Sequence, residues 1–307
     1  MDRLLAMRVF ASVVESGSFV RAAEQLDISA TATSRHVAEL EKHLGAQLLQ
    51  RSTRRLHLTD IGTRYFERCR SILADVEEAE AQAATSESQP RGTLRISLPH
   101  SFGLRFIAPL IPEFSRRHPE LQLALHFSDQ TVDLVEEGID MAVRITRQLS
   151  TTLVARSLAP ASMVCCAAPE YLARCGRPRH PEELRQHTCL TYSYAALQNG
   201  WPFTEGGREF SVQVRGRLRA NNAEMNRLAA LGGLGIVQLP TFLVCDELRS
   251  GALLPILEDF PIPALHVHAV YLPGARGSAR IRSMTDYLWD ALGRGTPSWE
   301  RCHRTGV

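Results

Sequence analysis

Short hydroxyls and arginines grouped by helical spacing are the side chains of this chain with most to offer chemically. Thr31, Ser34 and Arg35 fall on one face of the segment that follows Ser29. Two small hydroxyls and a guanidinium near the start of a helix are groups that hydrogen-bond base edges and phosphates when the helix enters a major groove. Arg51, Arg54 and Arg55 lie in the acid-free stretch 48–59, whose apolar ends, Leu48-Leu49 and Leu56-His57-Leu58, read as strands around a basic tip. Guanidiniums on a hairpin neutralise phosphates, which adds affinity without sequence preference and makes binding salt-sensitive.

Such groups work only if two helices meet at a corner. Ala22, Ala23 and Leu26 give a first short helix a small apolar face, while Thr33, Val37, Leu40 and Leu44 give a second its own. Between them Asp27 tolerates a left-handed backbone, Ile28 supplies an apolar pin, and Ser29 can accept from the free N–H groups of the second helix. Ahead of both, Arg3 to Glu15 carries Ala6, Val9, Phe10 and Val13 on one side and ends before Gly17. Residues 1–59 are therefore expected to form a winged helix-turn-helix that presents Ser29, Thr31, Ser34, Arg35, Arg51, Arg54 and Arg55 to DNA. A unit of about sixty residues is marginally stable alone.

Beyond Thr59, Ile61, Tyr65, Cys69, Ile72, Val76, Ala79 and Ala83 recur at spacings of four and three, a heptad seam. A helix over 60–88 would run ~44 Å at 1.5 Å per residue, too long to bury its seam on the preceding unit. Residues 60–89 are expected to pair with the same helix of a second chain. The resulting homodimer would set two recognition helices about one DNA turn apart, ~34 Å, or a multiple of it.

The stretch 85–92, Thr-Ser-Glu-Ser-Gln-Pro-Arg-Gly, breaks that helix, and the pattern then changes. Strand-like alternation at Leu94, Ile96 and Leu98, at Leu121 to Phe127 and at Met141 to Ile145 brackets helical patterns at Leu104 to Arg117 and at Thr131 to Glu137. A second set begins at Met163 to Ala167. It continues with helices at 169–175, from Pro181 and at 222–231, strands at 189–192 and 235–239, and a hairpin turn at 203–210. A strand at 265–271 and a helix at 278–292 follow. The fold class is thus α plus α/β: residues 90–293 form a two-subdomain unit, with subdomain I over about 90–161 and 267–293 and subdomain II over about 162–266. Residues 294–307 read as a disordered tail.

In a doubly wound sheet ligands bind beyond the carboxyl ends of the strands. The loops selected by this rule offer Ser101, Ser128, Arg144, Thr146, Asn222 and Gln238 as polar contacts for a small-molecule effector, with Phe102 and Trp201 as apolar walls. Arg144 favours a carboxylate.

A net charge of +2 over 307 residues does not mark a nucleic-acid binder; the basic signal is local and almost wholly arginine, Lys42 being the one lysine. No run approaches the ~20 apolar residues of a membrane span, and the N-terminus lacks an export signal, so a cytoplasmic location is expected. Seven cysteines without regular spacing are expected to be reduced thiols there.

These motifs together carry a resemblance. Arg21-Ala22-Ala23-Glu24-Gln25-Leu26, Ser29-x-x-Ala32-x-Ser34-Arg35, Leu40-Glu41, Leu44-Gly45-x-x-Leu48-Leu49-x-Arg51 and Leu58-Thr59-x-x-Gly62 resemble the N-terminal domain of LysR-type transcriptional regulators. Gly92-Thr93-Leu94-Arg95-Ile96, Asp133 to Asp140 and Leu234-Gly235-Ile236 resemble that family's effector domain. The likeness runs to about residue 293. It implies a dimerising linker helix, an effector domain similar to periplasmic binding proteins, a homotetramer, and a small organic molecule, an organic acid or aromatic compound, that alters how the assembly sits on double-stranded promoter DNA. RNA polymerase is a further candidate partner, and no cofactor is implied. The chain departs from the family at Ala30, where glutamine is frequent, at Asp27, where glycine is usual, and at Thr33, where an aliphatic residue is common.

Other classes have less to stand on. No Gly-x-Ser-x-Gly elbow or dinucleotide fingerprint occurs, and His266 with His268 on one strand face is a weak metal pair, so no enzyme is expected. Cys166 and Cys175 sketch a redox-sensing regulator, although Cys165-Cys166 lies in an apolar strand. A solute-binding protein without DNA function would need neither wing nor recognition helix.

Overall fold

The computed structural model describes residues 2–52, 55–84, 90–194 and 200–302. Helix α1 (Arg3–Ser16) begins where the Asp2 carboxylate accepts from the Leu5 N–H and stops at Gly17, at a φ of 66°. Ser18 opens α2 (Phe19–Gln25) and Ser29 opens α3 (Ala30–Leu44), their hydroxyls accepting from the Arg21 and Ala32 N–H groups. Between α2 and α3 the chain turns at Asp27, a non-glycine residue at a φ of 52°. This conformation costs an L-residue about 1 kcal/mol, and the Asp27 side chain is exposed. Asp27→Gly is therefore expected to stabilise the domain by about 0.5–1 kcal/mol, read as a higher midpoint in urea at unchanged slope.

Strands β1 (Leu49–Ser52) and β2 (Arg55–Leu58) pair antiparallel, Arg51 opposite Leu56 and Ser52 opposite Arg55. Helix α4 (Asp60–Ala84) follows. Ala6, Val9, Phe10 and Val13 of α1 pack with Ala22, Val37, Leu40, Leu48 and Leu49, and α4 adds Phe66, Cys69 and Leu73 to the same core. Two expectations change here. Tyr65 and Cys69 of the heptad seam turn into their own domain, because Phe66 and Leu73 beside them complete an apolar face directed at α1. Leu44, expected in the α3 core face, is exposed past the last buried turn. The Ala79 and Ala83 side chains lie outside the described residues.

Strand β3 (Gly92–Leu98) leads into α5 (His100–Phe102) and, after a π turn and a 3-10 turn, α6 (Ile111–Arg117). The single helix expected over 104–117 is interrupted because Pro109 and Pro112 lack the N–H groups that would continue it. Strands β4 (Leu121–Phe127), β5 (Met141–Thr146) and β6 (Val154–Ala161) follow. Residues 131–137 form turns, not a helix: the Asp133 carboxylate accepts from the Val135 and Glu136 N–H groups, holding an irregular loop whose Leu134 packs on Ala142 and Val270.

Next come β7 (Met163–Ala167), α7 (Pro169–Cys175), a 3-10 turn at Pro181–Gln186 where a helix was expected, β8 (Cys189–Tyr192), and the hairpin β9 (Gly200–Glu205) with β10 (Arg208–Gln213). β11 (Arg219–Ala220), α8 (Ala223–Leu231), β12 (Ile236–Pro240), α9 (Thr241–Ser250), β13 (Leu254–Ile256), β14 (Leu265–Tyr271) and α10 (Ala279–Leu292) complete the chain. One sheet has the order β4-β3-β5-β14-β6, the other β11-β8-β12-β7-β13. β14 pairs with β5 and β6, so the chain returns to the first sheet after building the second.

The tail is ordered through Cys302, against expectation. Trp299 is buried, its indole donating to the Pro160 carbonyl at 3.0 Å, and Glu300 accepts from the Ser162 N–H at 2.8 Å. The expectation of seven reduced thiols is likewise corrected, since Cys245 and Cys302 form a disulfide. Their 57-residue separation gave no sign that the tail would bring their Cα atoms to 5.2 Å. No helix among the described residues is long and apolar enough to cross a membrane.

Candidate nucleic-acid interface and ligand cleft

Helix α3 buries Thr33, Val37 and Leu40, which leaves Thr31, Ser34 and Arg35 on its exposed face. Ser29 is exposed at the start of that helix and caps it: its hydroxyl accepts from the Ala32 N–H at 3.1 Å, and its carbonyl accepts from the Thr33 amide and hydroxyl. Of the wing arginines, Arg51 and Arg55 are placed by their backbone on β1 and β2, while Arg54 and the side chains of the other two lie outside the described residues.

The angle between helix and wing is held by one side chain whose role spacing alone did not reveal. Glu41, on α3, accepts from both the Leu48 and Leu49 N–H groups, at 2.8 and 3.1 Å. Those two amides begin the wing, so a carboxylate of α3 bolts its base in place. The far side of the wing is tied by Thr59, whose hydroxyl donates to the Gln47 carbonyl at 2.7 Å and accepts from the Gly62 N–H at 2.9 Å.

In the first sheet β3, β4 and β5 run parallel, so Ser101, Ser128 and Thr146 follow strand ends on one edge. β8, β11 and β12 are parallel in the second sheet and bring Tyr192, Asn222 and the end of β12 to a common edge. The two edges meet at Asp129 and Tyr192. Asp129 accepts from the His100 N–H at 2.8 Å, and burial together with the adjoining Asp129 carboxylate pushes the Tyr192 phenol above its ordinary value. Neither residue stood among the sequence candidates, because the contact joins separate subdomains. Arg147 and Glu209 add an ion pair of 2.7 Å between subdomains, and Arg105 pairs with Asp246 of α9.

The other candidates divide. Ser101, Ser128 and Thr146 are half-buried on the first edge; Ser128 accepts from the Gln130 N–H and Thr146 donates to the Gln148 carbonyl. Asn222 is the N-cap of α8, and Gln238 donates to the Pro202 carbonyl at 3.3 Å. Arg144 spends two donors on the Gln130 and Val132 carbonyls, and burial lowers its pKa. Phe102 and Trp201 are not walls. Phe102 is 1% exposed among Phe106, Phe242 and Trp299, and Trp201 is packed with Phe203 and Val212. Aromatic size made them attractive as ligand surface, and the same size places them in cores.

A cavity of about 220 Å³ lies elsewhere, between α4 and subdomain I, with Arg68, Arg70, Arg95, Arg280 and Asp140 in its wall. The strand-end edges, not this cavity, have the position at which doubly wound sheets bind ligands. No cluster of metal-binding side chains occurs among the described residues. His266 and His268 stand 6.1 Å apart, and burial, with His266 alongside, lowers the His268 pKa. Burial pushes the Cys166 thiol up to about 12, which suppresses the thiolate that switching with Cys175 would need.

Comparison with known proteins agrees with this geometry. Residues 4–63 match the model for bacterial regulatory helix-turn-helix proteins of the lysR family, and residues 87–293 match the LysR substrate binding domain. The chain is 36% identical to an uncharacterised HTH-type transcriptional regulator of Haemophilus influenzae over 271 residues, covering 88% of this chain and 94% of the relative. It is 36% identical to the regulator CrgA of Neisseria meningitidis, covering 94% and 96%. The solved structure of CrgA superposes with a TM-score of 0.60 at 35% identity, over 94% of this chain and 98% of that one.

Proposed function

The chain belongs to the LysR family of DNA-binding transcriptional regulators with an effector-binding domain, and from that premise we propose how this member works. It acts in the cytoplasm as a homodimer joined through α4 and assembled into a homotetramer. Thr31, Ser34 and Arg35 read a promoter duplex while Arg51, Arg54 and Arg55 grip its phosphates. An organic acid or aromatic compound enters between the strand-end edges and changes the separation of the reading heads, with RNA polymerase as the downstream partner.

The observation that carries this reading is the exposed Thr31, Ser34 and Arg35 face on a helix tied to its wing through Glu41. Phosphate-directed arginines make a quantitative demand: neutralising Z phosphates gives log K a slope of about −0.9Z against log salt. A mobility-shift titration on the duplex upstream of the protein's own coding sequence should thus show affinity falling steeply with salt. An Arg54→Ala, Arg55→Ala double variant should bind at least ~10-fold more weakly, with a slope shallower by ~1.8 for two lost phosphate contacts. Unchanged affinity and slope in that variant would remove the wing from the interface.

A further inference from the structure

We propose that residues 294–302 form a redox-latched strap across the hinge of the effector domain, with Cys245 and Cys302 as a reversible disulfide that a hydroperoxide makes and cellular dithiols break. The proposal rests on the DNA-binding regulator reading above for its readout and on its cytoplasmic address for the reducing background, in which a lasting disulfide is uncommon.

The subdomains are joined by two crossovers, the segment 257–264 between β13 and β14 and the single residue Ser162 between β6 of the first sheet and β7 of the second. Ser162 is the shorter hinge. Glu300 grips it twice, accepting from the Ser162 N–H at 2.8 Å and from its hydroxyl at 2.6 Å, and also accepts from the Thr241 hydroxyl at 3.1 Å. Thr241 opens α9 of subdomain II, and its own N–H donates to the Ser162 carbonyl at 2.8 Å. One residue earlier in the strap, Trp299 reaches the other way, to the Pro160 carbonyl and to the rings of Phe102 and Phe106 in subdomain I, with centroids at 5.5 and 4.4 Å. Arg249 of α9 donates to the Ser298 carbonyl at 3.0 Å. A short segment therefore touches both subdomains and the Ser162 crossover between them.

The strap is closed by sulfur. Cys302 meets Cys245 on α9, while Cys69, Cys165, Cys166, Cys175 and Cys189 remain free. Rotation of one subdomain against the other must turn the backbone at Ser162, and a seated Glu300 resists it. The disulfide decides how long Glu300 stays seated. In the forward step one cysteine thiolate attacks the peroxide O–O bond, giving a sulfenic acid and releasing alcohol, or water when the oxidant is hydrogen peroxide. The second thiol then attacks that sulfur and its hydroxyl leaves as water. Two thiols lose two electrons and two protons, and the peroxide gains them. Thiol–disulfide exchange with a dithiol reverses the bond. The covalent bond makes the hinge clamp permanent for as long as it lasts, and opening it returns the subdomains to a balance that an effector can tip.

Full-length protein, reduced with a phosphine and then either left so or treated with hydrogen peroxide, provides the test. Each sample is titrated with the upstream duplex and alkylated with N-ethylmaleimide for peptide mapping. Peroxide should convert Cys245 and Cys302 to a single cross-linked peptide closed to alkylation and slow hydrogen exchange at Ser162 and Thr241. It should also shift duplex affinity by about fivefold or more, the lower end of allosteric couplings. Dithiothreitol should reverse all three changes, and Cys302→Ser should abolish them. The reduced and oxidised wild-type samples need no variant, so poor folding of Cys302→Ser would leave the comparison intact. Full alkylation of Cys302 after peroxide overturns the proposal, as does an affinity shift of the same size in Cys302→Ser. Duplex binding that ignores peroxide removes the strap and spares the regulator reading; absence of duplex binding in both states removes both.

Discussion

Gly62→Ala is expected to eliminate duplex binding while leaving the effector domain folded. The first turn of α4 passes so near the base of the wing that a Cβ at position 62 would overlap the Leu48 carbonyl oxygen and lie 2.8 Å from its carbon. This obstacle is backbone, and it has little room to yield. The Leu48 carbonyl accepts from the Thr59 N–H at 3.0 Å, and the Leu48 amide is held by Glu41. Relief therefore means pulling α4 off the wing and uncovering Phe66, Cys69 and Leu73. Overpacking of this kind costs about 1–3 kcal/mol and sometimes more, against roughly 3–9 kcal/mol available to a domain of about sixty residues. Calorimetry should show the effector-domain transition unmoved and the DNA-binding-domain transition lowered or absent. Wild-type duplex affinity in Gly62→Ala would show that the helix and wing are not joined as described.

The second large effect belongs to Trp299→Ala. Its indole is 4% exposed, meets Phe102 and Phe106 edge-on, and carries a hydrogen bond to Pro160. Removing a buried Trp side chain typically costs about 3–5 kcal/mol, and for a domain of about two hundred residues that corresponds to a fall in Tm of about 10 °C. The loss should appear only in the effector-domain transition, with the DNA-binding domain melting as before. A shift of 1 °C or less would mean that the segment after Gly293 is peripheral.

Local signals made the DNA-binding half readable. The cap at Ser29, the left-handed corner at Asp27 and the burial of Thr33, Val37 and Leu40 each depend on residues within a few positions of one another. Strands of the effector half were legible for the same reason, through alternation in Leu94, Ile96 and Leu98. Misreadings arose where a side chain competed with the backbone or a partner lay far away. Asp133 takes the N–H groups that a helix over 131–137 would have used, and Pro109 divides the one expected over 104–117. Glu300 meets Ser162 across 138 residues, a distance over which hydrophobic periodicity carries no information. The contact of Asp129 with Tyr192, which brings the cleft edges together, belongs to the same class. Phe102 shows a further limit: its position after β3 was readable, but its burial depended on Trp299.

Because Phe66, Cys69 and Leu73 belong to the core beneath α3, helix α4 cannot swivel at its root. Its 25 residues make a lever of about 37 Å. Tilting the distal end by roughly 5° sweeps the root through about 3 Å, close to the ~3.4 Å between successive base pairs. A tilt of that size would be enough to move a reading head by one step along the duplex.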